Sequence, residues 1–168
     1  LIAVDGSGSM QGPLIERAAL FAAVLFKSQP NVDMCIFDTE ARWHNPNALD
    51  SLMSIAATIK GKAHGGGTSF TSIFDLLHGR PFDRVIILSD MESWQGNTMQ
   101  AYAAWKRSIG GANPYLYTFN LQAQDGTLQF PEKKVFCLAG WSDAILATMQ
   151  SLESDTQALI HEIEAITL

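Results

Sequence analysis

The sequence predicts a doubly wound α/β fold, a three-layer sandwich in which helices cover both faces of a mostly parallel six-stranded sheet. Short apolar runs alternate with longer helix-like runs along the 168 residues, the pattern of strand–helix–strand units with a parallel sheet. Apolar residues make up 47% of the chain and charged residues 17%, which is typical of one packed globular core. We therefore predict that residues 1–168 form a single domain. Because the chain does not start at methionine, we interpret it as excised from a longer protein.

Six apolar runs are predicted to be strands. The run 84–89 is apolar and rich in β-branched residues, so it is the best candidate for the centre of the sheet. Residues 41–43 can form a short edge strand that pairs with the preceding strand through a turn. The predicted strands are 1–4, 32–37, 41–43, 84–89, 115–121 and 135–138.

Apolar spacing and end signals predict the helices. The helix 13–27 has Pro13 in its first turn and is apolar nearly all round, so it should be largely buried. Asn47 is a candidate N-cap for the helix 48–59, and Ser142 for a helix that runs to about residue 152. The remaining predicted helices are 69–77, 98–109 (ended by two glycines) and 156–166, and residues 122–131 are predicted to be a loop or hairpin.

Charge and cysteine content limit the function classes. The formal net charge of −6 argues against this domain gripping RNA or DNA by itself, because such affinity comes mainly from Lys and Arg on phosphates. No run of 18 apolar residues is present, so we predict no transmembrane helix and no membrane partner. Cys35 and Cys137 both lie in predicted strands, and we predict buried free thiols, a reducing compartment and a cytoplasmic location.

A glycine-rich turn after the first strand carries the candidate chemistry. Asp5, Ser7 and Ser9 alternate with two glycines between the first strand and the first helix. Ligands of open α/β sheets bind at the carboxyl ends of strands, and Asp5 lies at such an end. The glycines permit backbone angles that can point both hydroxyls the same way as the carboxylate.

Two further segments are predicted to reach the same edge of the sheet. Thr68 follows three consecutive glycines, and Asp90 follows the strand 84–89. The resulting set has two carboxylates and three hydroxyls, all hard oxygen ligands, which suits Mg²⁺, Mn²⁺ or Ca²⁺ and not zinc. The sequence therefore predicts one divalent cation, with Mg²⁺ favoured and one coordination position left open.

This arrangement resembles the metal-ion-dependent adhesion site of von Willebrand factor A domains. The resemblance rests on the order and spacing of Asp5-x-Ser7-x-Ser9, a Gly-Gly-Thr ending at Thr68, and Asp90 after a Val-Ile-Ile-Leu strand. It implies that the serines and threonine touch the metal directly, that the aspartates often act through water, and that an acidic side chain of a partner completes the shell. Carboxylates kept one shell away leave the metal electron-poor, so an incoming carboxylate binds better.

A narrower resemblance links three segments to the C-terminal A domain of Ro/TROVE-type RNA-binding proteins. These segments are Phe37-Asp38-Thr39, Asp90-Met91-Glu92-Ser93 and Gly140-Trp141-Ser142-Asp143-Ala144. In that family a helical-repeat ring precedes this domain and binds small non-coding and misfolded RNA. The resemblance thus implies that RNA is bound by a segment before Leu1 and that this domain, which we predict to be a monomer, engages an acidic protein group.

Alternatives differ in partner and in chemistry. Glu92, Trp94 and His64 are candidates for the rim of the site, although Glu92 and Trp94 can equally be ordinary loop residues and the sequence favours a surface-loop histidine at His64. Two alternative functions stay open: an A domain of an unrelated adhesion or assembly protein with no RNA role, and a metal-assisted hydrolase. We predict no enzymatic activity, because the nucleotide-binding, phosphotransferase and nucleophile-elbow motifs are each broken at a required position.

If the sheet has the order typical of A domains, Cys35 and Cys137 lie roughly 19 Å apart, too far for a disulfide.

Overall fold

The computed structural model describes residues 1–92, 96–122, 132–140 and 144–155. In these ranges the strands run in the order β3-β2-β1-β4-β5-β6, and every neighbouring pair is parallel except β2 with β3. The predicted mostly parallel six-stranded α/β sheet is therefore confirmed. The strands are β1 (Ile2–Asp5), β2 (Met34–Phe37), β3 (Ala41–Trp43), β4 (Arg84–Ser89), β5 (Tyr115–Asn120) and β6 (Val135–Ala139).

Helices cover both faces of the sheet, and each face has its own apolar core. The helices are α1 (Pro13–Ser28), α2 (Leu52–Lys62), α3 (Phe70–Leu76), α4 (Thr98–Ser108) and α5 (Ile145–Ser154). Alternate residues of each strand point to opposite faces. Ile2 and Val4 pack with α1, α2 and α5, whereas Ala3 packs with α3 and α4. This division produces the doubly wound arrangement.

Strand β4 lies in the interior of the sheet, as its composition predicts. It pairs with β1 on one side and β5 on the other, and its residues from Val85 to Ser89 are all buried. The register places Val4 opposite Leu88 and Asp5 opposite Phe37. The carboxyl ends of β1, β2 and β4 therefore meet at one edge of the sheet.

The predicted start of α2 is wrong by four residues. The helix begins at Leu52 with Ser51 as N-cap, whose hydroxyl accepts a hydrogen bond from the N–H of Ser54. The Asn47 side chain instead accepts from the Leu49 N–H and closes a turn. Lys27 donates to two carbonyl groups of this turn, which keeps them outside the helical ladder.

The predicted burial of Cys137 is also wrong, although both thiols are free as predicted. Cys35 is buried on β2, whereas Cys137 is half-buried because β6 is the last strand of the described sheet. Four strand spacings separate β2 from β6 in the strand order, which agrees with the predicted separation.

The other edge of the sheet is the short strand β3. The guanidinium of Arg80 lies 4.1 Å from the ring centroid of Trp43 on that strand. Arg80 also forms an ion pair with Asp33, 3.0 Å away.

Among the described residues, no helix is both long and apolar enough to cross a membrane. Three parts of the sequence prediction lie outside the described ranges: the helix 156–166, the N-cap Ser142, and all but the first residue of the loop 122–131.

Candidate metal centre

The turn after β1 is built around the carboxylate of Asp5. Asp5 is fully buried, and its Oδ1 accepts a hydrogen bond of 2.9 Å from the backbone N–H of Ser7. Ser7 is buried, Ser9 is exposed, and their hydroxyl oxygens are 3.3 Å apart. The predicted pair of hydroxyls is thus brought together, with Ser9 on the solvent side.

A second loop closes over this turn and carries Thr68. The N–H of Gly8 donates to the carbonyl of Gly66, and the N–H of Gly65 donates to the carbonyl of Gly6, each at 3.0 Å. The loop and the turn are in close contact, and a Cβ on Gly6 would therefore lie only 3.0 Å from the Cα of Ala63. Thr68, two residues after Gly66, is buried.

Strand β4 brings the second carboxylate. Asp90 follows its last residue and is buried. Its Oδ1 accepts a 3.2 Å hydrogen bond from the N–H of Glu92. Its Oδ2 is buried and accepts no hydrogen bond from the residues that the structure describes. A buried carboxylate oxygen without a donor is costly, and a cation in the site would offset that cost.

The carboxylate of Asp5 also lacks full compensation for its buried negative charge. The pKa of the Asp5 carboxyl is raised from 3.8 to about 6, chiefly by burial and to a smaller extent by the charge of Asp90, against the hydrogen bonds from Ser89 and Ser7. Among the described residues, the hydrogen-bond donors to Asp5 are neutral backbone amide and serine hydroxyl groups. Two buried acids thus lie near each other, and no basic side chain of the described residues is bonded to either.

The neighbouring acid Asp38 provides a contrast. It is buried at the end of β2, but its carboxylate accepts hydrogen bonds from Arg42 at 3.2 Å and from the N–H of Glu40 at 3.1 Å. Burial alone raises its pKa, yet these partners outweigh burial and hold the pKa below the ordinary value. Asp38 therefore needs no cation.

The described candidate ligands fit a hard divalent cation by their chemistry. No group of three or more His, Cys, Asp and Glu side chains in the described part of the chain is placed to hold a metal. The candidate set consists of two carboxylates and three hydroxyls, an all-oxygen set of the kind that Mg²⁺ and Ca²⁺ take. Of the rim candidates, Glu92 and His64 are exposed, and Trp94 lies outside the described residues.

Sequence reasoning overlooked the role of Ser89. Its hydroxyl donates a hydrogen bond of 2.5 Å to Asp5 Oδ2 and joins the two carboxylate-bearing strands. The signal was a serine at the last position of a buried strand, directly before Asp90. The bond itself depends on the register between β1 and β4, which local sequence does not encode.

The fold and its polar edge define a doubly wound α/β sandwich of the kind that the resemblance to A domains implied. Among solved structures, it is similar to the Ro (RSR) protein of Deinococcus radiodurans, with a TM-score of 0.72 and 18% identity over 89% of this chain. The chain spans 33% of that protein's length.

Two further solved structures share the fold. BatB from Bacteroides thetaiotaomicron has a TM-score of 0.61 and 17% identity over 93% of this chain and 97% of its own. Proximal thread matrix protein 1 of the mussel byssus has a TM-score of 0.62 and 16% identity over 90% of this chain and 47% of its own. No family model matches the sequence, and no curated protein matches it.

Proposed function

We propose that this chain is a cation-dependent binding domain of the metal-ion-dependent adhesion type, and not an enzyme. The observation that carries the proposal is the buried Oδ2 of Asp90, which accepts no hydrogen bond from the described residues, near the buried carboxylate of Asp5. Mg²⁺ is the first candidate, with Mn²⁺ or Ca²⁺ as alternatives. The residues that would hold it are Asp5, Ser7, Ser9, Thr68 and Asp90.

Binding of an acidic partner follows from the same charges. In the arrangement that the resemblance implies, neutral hydroxyls touch the cation and the two carboxylates act through water, so the cation stays electron-poor. A bound cation supplies an electrophilic position for one more oxygen ligand. Ser9 is exposed, so the site opens to solvent on its side. An acidic side chain of another protein can reach that position.

Titration of the chain with MgCl₂ by calorimetry tests the site. Wild type is expected to bind one cation, and Asp5→Ala is expected to lose that binding, because it removes one of only two carboxylates. Asp38→Asn is the matched control, since Asp38 lies at the end of the adjacent strand but is already bonded to Arg42. Equal binding by wild type and Asp5→Ala would rule out a cation site at Asp5.

The partner of the whole protein is a separate inference. The fold similarity to the Ro (RSR) protein, together with the three short motifs, supports a place within a larger Ro-like protein whose RNA is bound outside this domain. Under this inference the isolated domain binds RNA weakly, and raising the salt concentration abolishes the binding. Tight, salt-resistant binding would show that the RNA surface lies on this domain.

An assembly or adhesion role without RNA is the second candidate. The similarity to BatB favours only the absence of an RNA-binding portion, since this fold accounts for 97% of that structure. The same RNA titration separates the two candidates when it is made with the full-length protein. Absence of RNA binding there supports the second candidate.

A further inference from the structure

The Ser89 hydroxyl has a fixed hydrogen-bond direction. Ser89 is fully buried. Its Oγ accepts a hydrogen bond of 3.0 Å from the N–H of Met91 and donates one of 2.5 Å to Asp5 Oδ2. A hydroxyl has one hydrogen and two lone pairs. Because the Met91 N–H occupies a lone pair, the hydrogen stays directed at Asp5.

Met91 holds this arrangement through an uncommon backbone conformation. Its φ is +66°, in the left-handed region that non-glycine residues seldom adopt. Its side chain is buried in the core that also contains Phe70 and Phe74. Burial of the side chain holds the backbone in this conformation, and the backbone turns the Met91 N–H back toward Ser89.

Both oxygens of Asp5 are consequently fixed. Oδ1 receives the Ser7 N–H and Oδ2 receives the Ser89 hydroxyl, so rotation of the carboxylate would break one bond or both. Each carboxylate oxygen keeps a further lone pair, which remains for a cation or for a water molecule bound to one.

We propose that Ser89, held by Met91, is a positioning residue that makes the candidate site selective for Mg²⁺ over Ca²⁺. The inference rests on the proposed function. Mg²⁺ demands nearly ideal octahedral geometry with short ligand distances, whereas Ca²⁺ accepts longer and more variable ones. A carboxylate that is fixed at both oxygens therefore suits Mg²⁺. If the carboxylate becomes free to rotate, Ca²⁺ binding changes less than Mg²⁺ binding does.

The test compares dissociation constants for MgCl₂ and CaCl₂, measured by calorimetry on the whole chain. Ser89→Ala is expected to weaken Mg²⁺ binding by about 10- to 100-fold, the usual effect of removing a group that orients a metal ligand. Ca²⁺ binding is expected to weaken by a smaller factor, so the preference for Mg²⁺ falls. Ser89→Thr keeps the hydroxyl and is expected to keep the preference.

A matched control separates positioning from loss of stability. Ser108 also has a hydroxyl that donates one bond, to the Trp105 carbonyl, and accepts another, from the Gly79 N–H. It lies at the end of α4, away from the candidate ligands. Ser108→Ala removes the same kind of hydroxyl and is expected to leave the ratio of the two dissociation constants unchanged.

A second variant decides the matter if Ser89→Ala does not fold. Met91→Gly permits the same φ but removes the buried side chain that holds it, so it is expected to lower the Mg²⁺ preference as well. An unchanged ratio in these variants, or an equal change in Ser108→Ala, overturns the inference and leaves the proposed function standing. If the wild type binds neither cation, the proposed function fails and this inference fails with it.

Discussion

Replacing Asp5 by asparagine is expected to stabilise the cation-free protein at neutral pH. The Asp5 carboxyl is fully buried and has a pKa of about 6 in the folded chain, against 3.8 ordinarily. At pH 7 the folded protein therefore holds a buried charge that the unfolded chain keeps in water. An amide of nearly the same shape carries no charge.

The magnitude follows from the difference between the two pKa values. A rise of about two units corresponds to about 3 kcal/mol of unfolding free energy. The sign follows because a raised pKa favours the protonated folded state. This stabilisation is fully present below pH 3.8 and is lost as the pH rises through 6. The Ser7 N–H can still bond the amide oxygen, but the Ser89 hydroxyl must turn away, at a cost of about 1 kcal/mol.

The net expectation at pH 7 is that Asp5→Asn is more stable by about 2 kcal/mol. For a chain of 168 residues this raises the melting temperature by about 4–8 °C. Near pH 4 the wild-type carboxyl is largely protonated, so the asparagine variant should lose its advantage. Excess Mg²⁺ should reverse the order at pH 7, because only the wild type gains binding energy, about 2.7 kcal/mol at 100 times the dissociation constant.

Urea unfolding in EDTA between pH 4 and pH 8, repeated with Mg²⁺ at pH 7, measures these differences. Asp38→Asn serves as the control with the opposite sign, because the pKa of Asp38 lies below its ordinary value. Its carboxylate stabilises the fold above the unfolded pKa, so the asparagine variant should be less stable at pH 7. If Asp5→Asn is the less stable protein in EDTA at pH 7, the reasoning about the buried charge is refuted.

Two further predictions concern the scaffold. Glu153→Gln should lower the free energy of unfolding by about 2 kcal/mol, because Glu153 accepts two bonds from the half-buried guanidinium of Arg84, at 2.6 and 2.5 Å. Glu16→Gln, at an exposed ion pair, should cause no measurable change in urea unfolding, and equal losses would refute the distinction. Iodoacetamide followed by mass spectrometry should label Cys137 before Cys35, because burial raises the pKa of the Cys35 thiol to about 12. Faster labelling of Cys35 would contradict its burial.

Most of the sheet could be predicted because its signals are local. Each strand is a short apolar run bounded by polar or glycine residues, and parallel pairing follows from the helices between strands. The start of α2 could not be predicted in the same way. Asn47 is a good helix cap by residue type, but Lys27, distant in sequence, binds the carbonyls of the following turn and shifts the helix start to Leu52.

The candidate site could likewise be predicted only in part from the sequence. The order of the five oxygen-bearing residues predicts that they gather at one edge, because the carboxyl ends of parallel strands meet there. The two states of the neighbouring acids could not be predicted. The residue type does not reveal that Asp38 is bonded to Arg42 while Asp90 has an oxygen that accepts no hydrogen bond from the described part of the chain. That difference depends on the local pairing at the end of each strand.

The short strand β3 has a consequence for behaviour at high concentration. An exposed strand edge is a template on which another chain can add a strand, and this is a common start of aggregation. Here the edge is three residues long, carries the charged Arg42 at its centre and has the guanidinium of Arg80 over Trp43. Few free backbone groups remain in register for an incoming strand. Neighbouring copies of this domain can therefore crowd together on that side without joining their sheets.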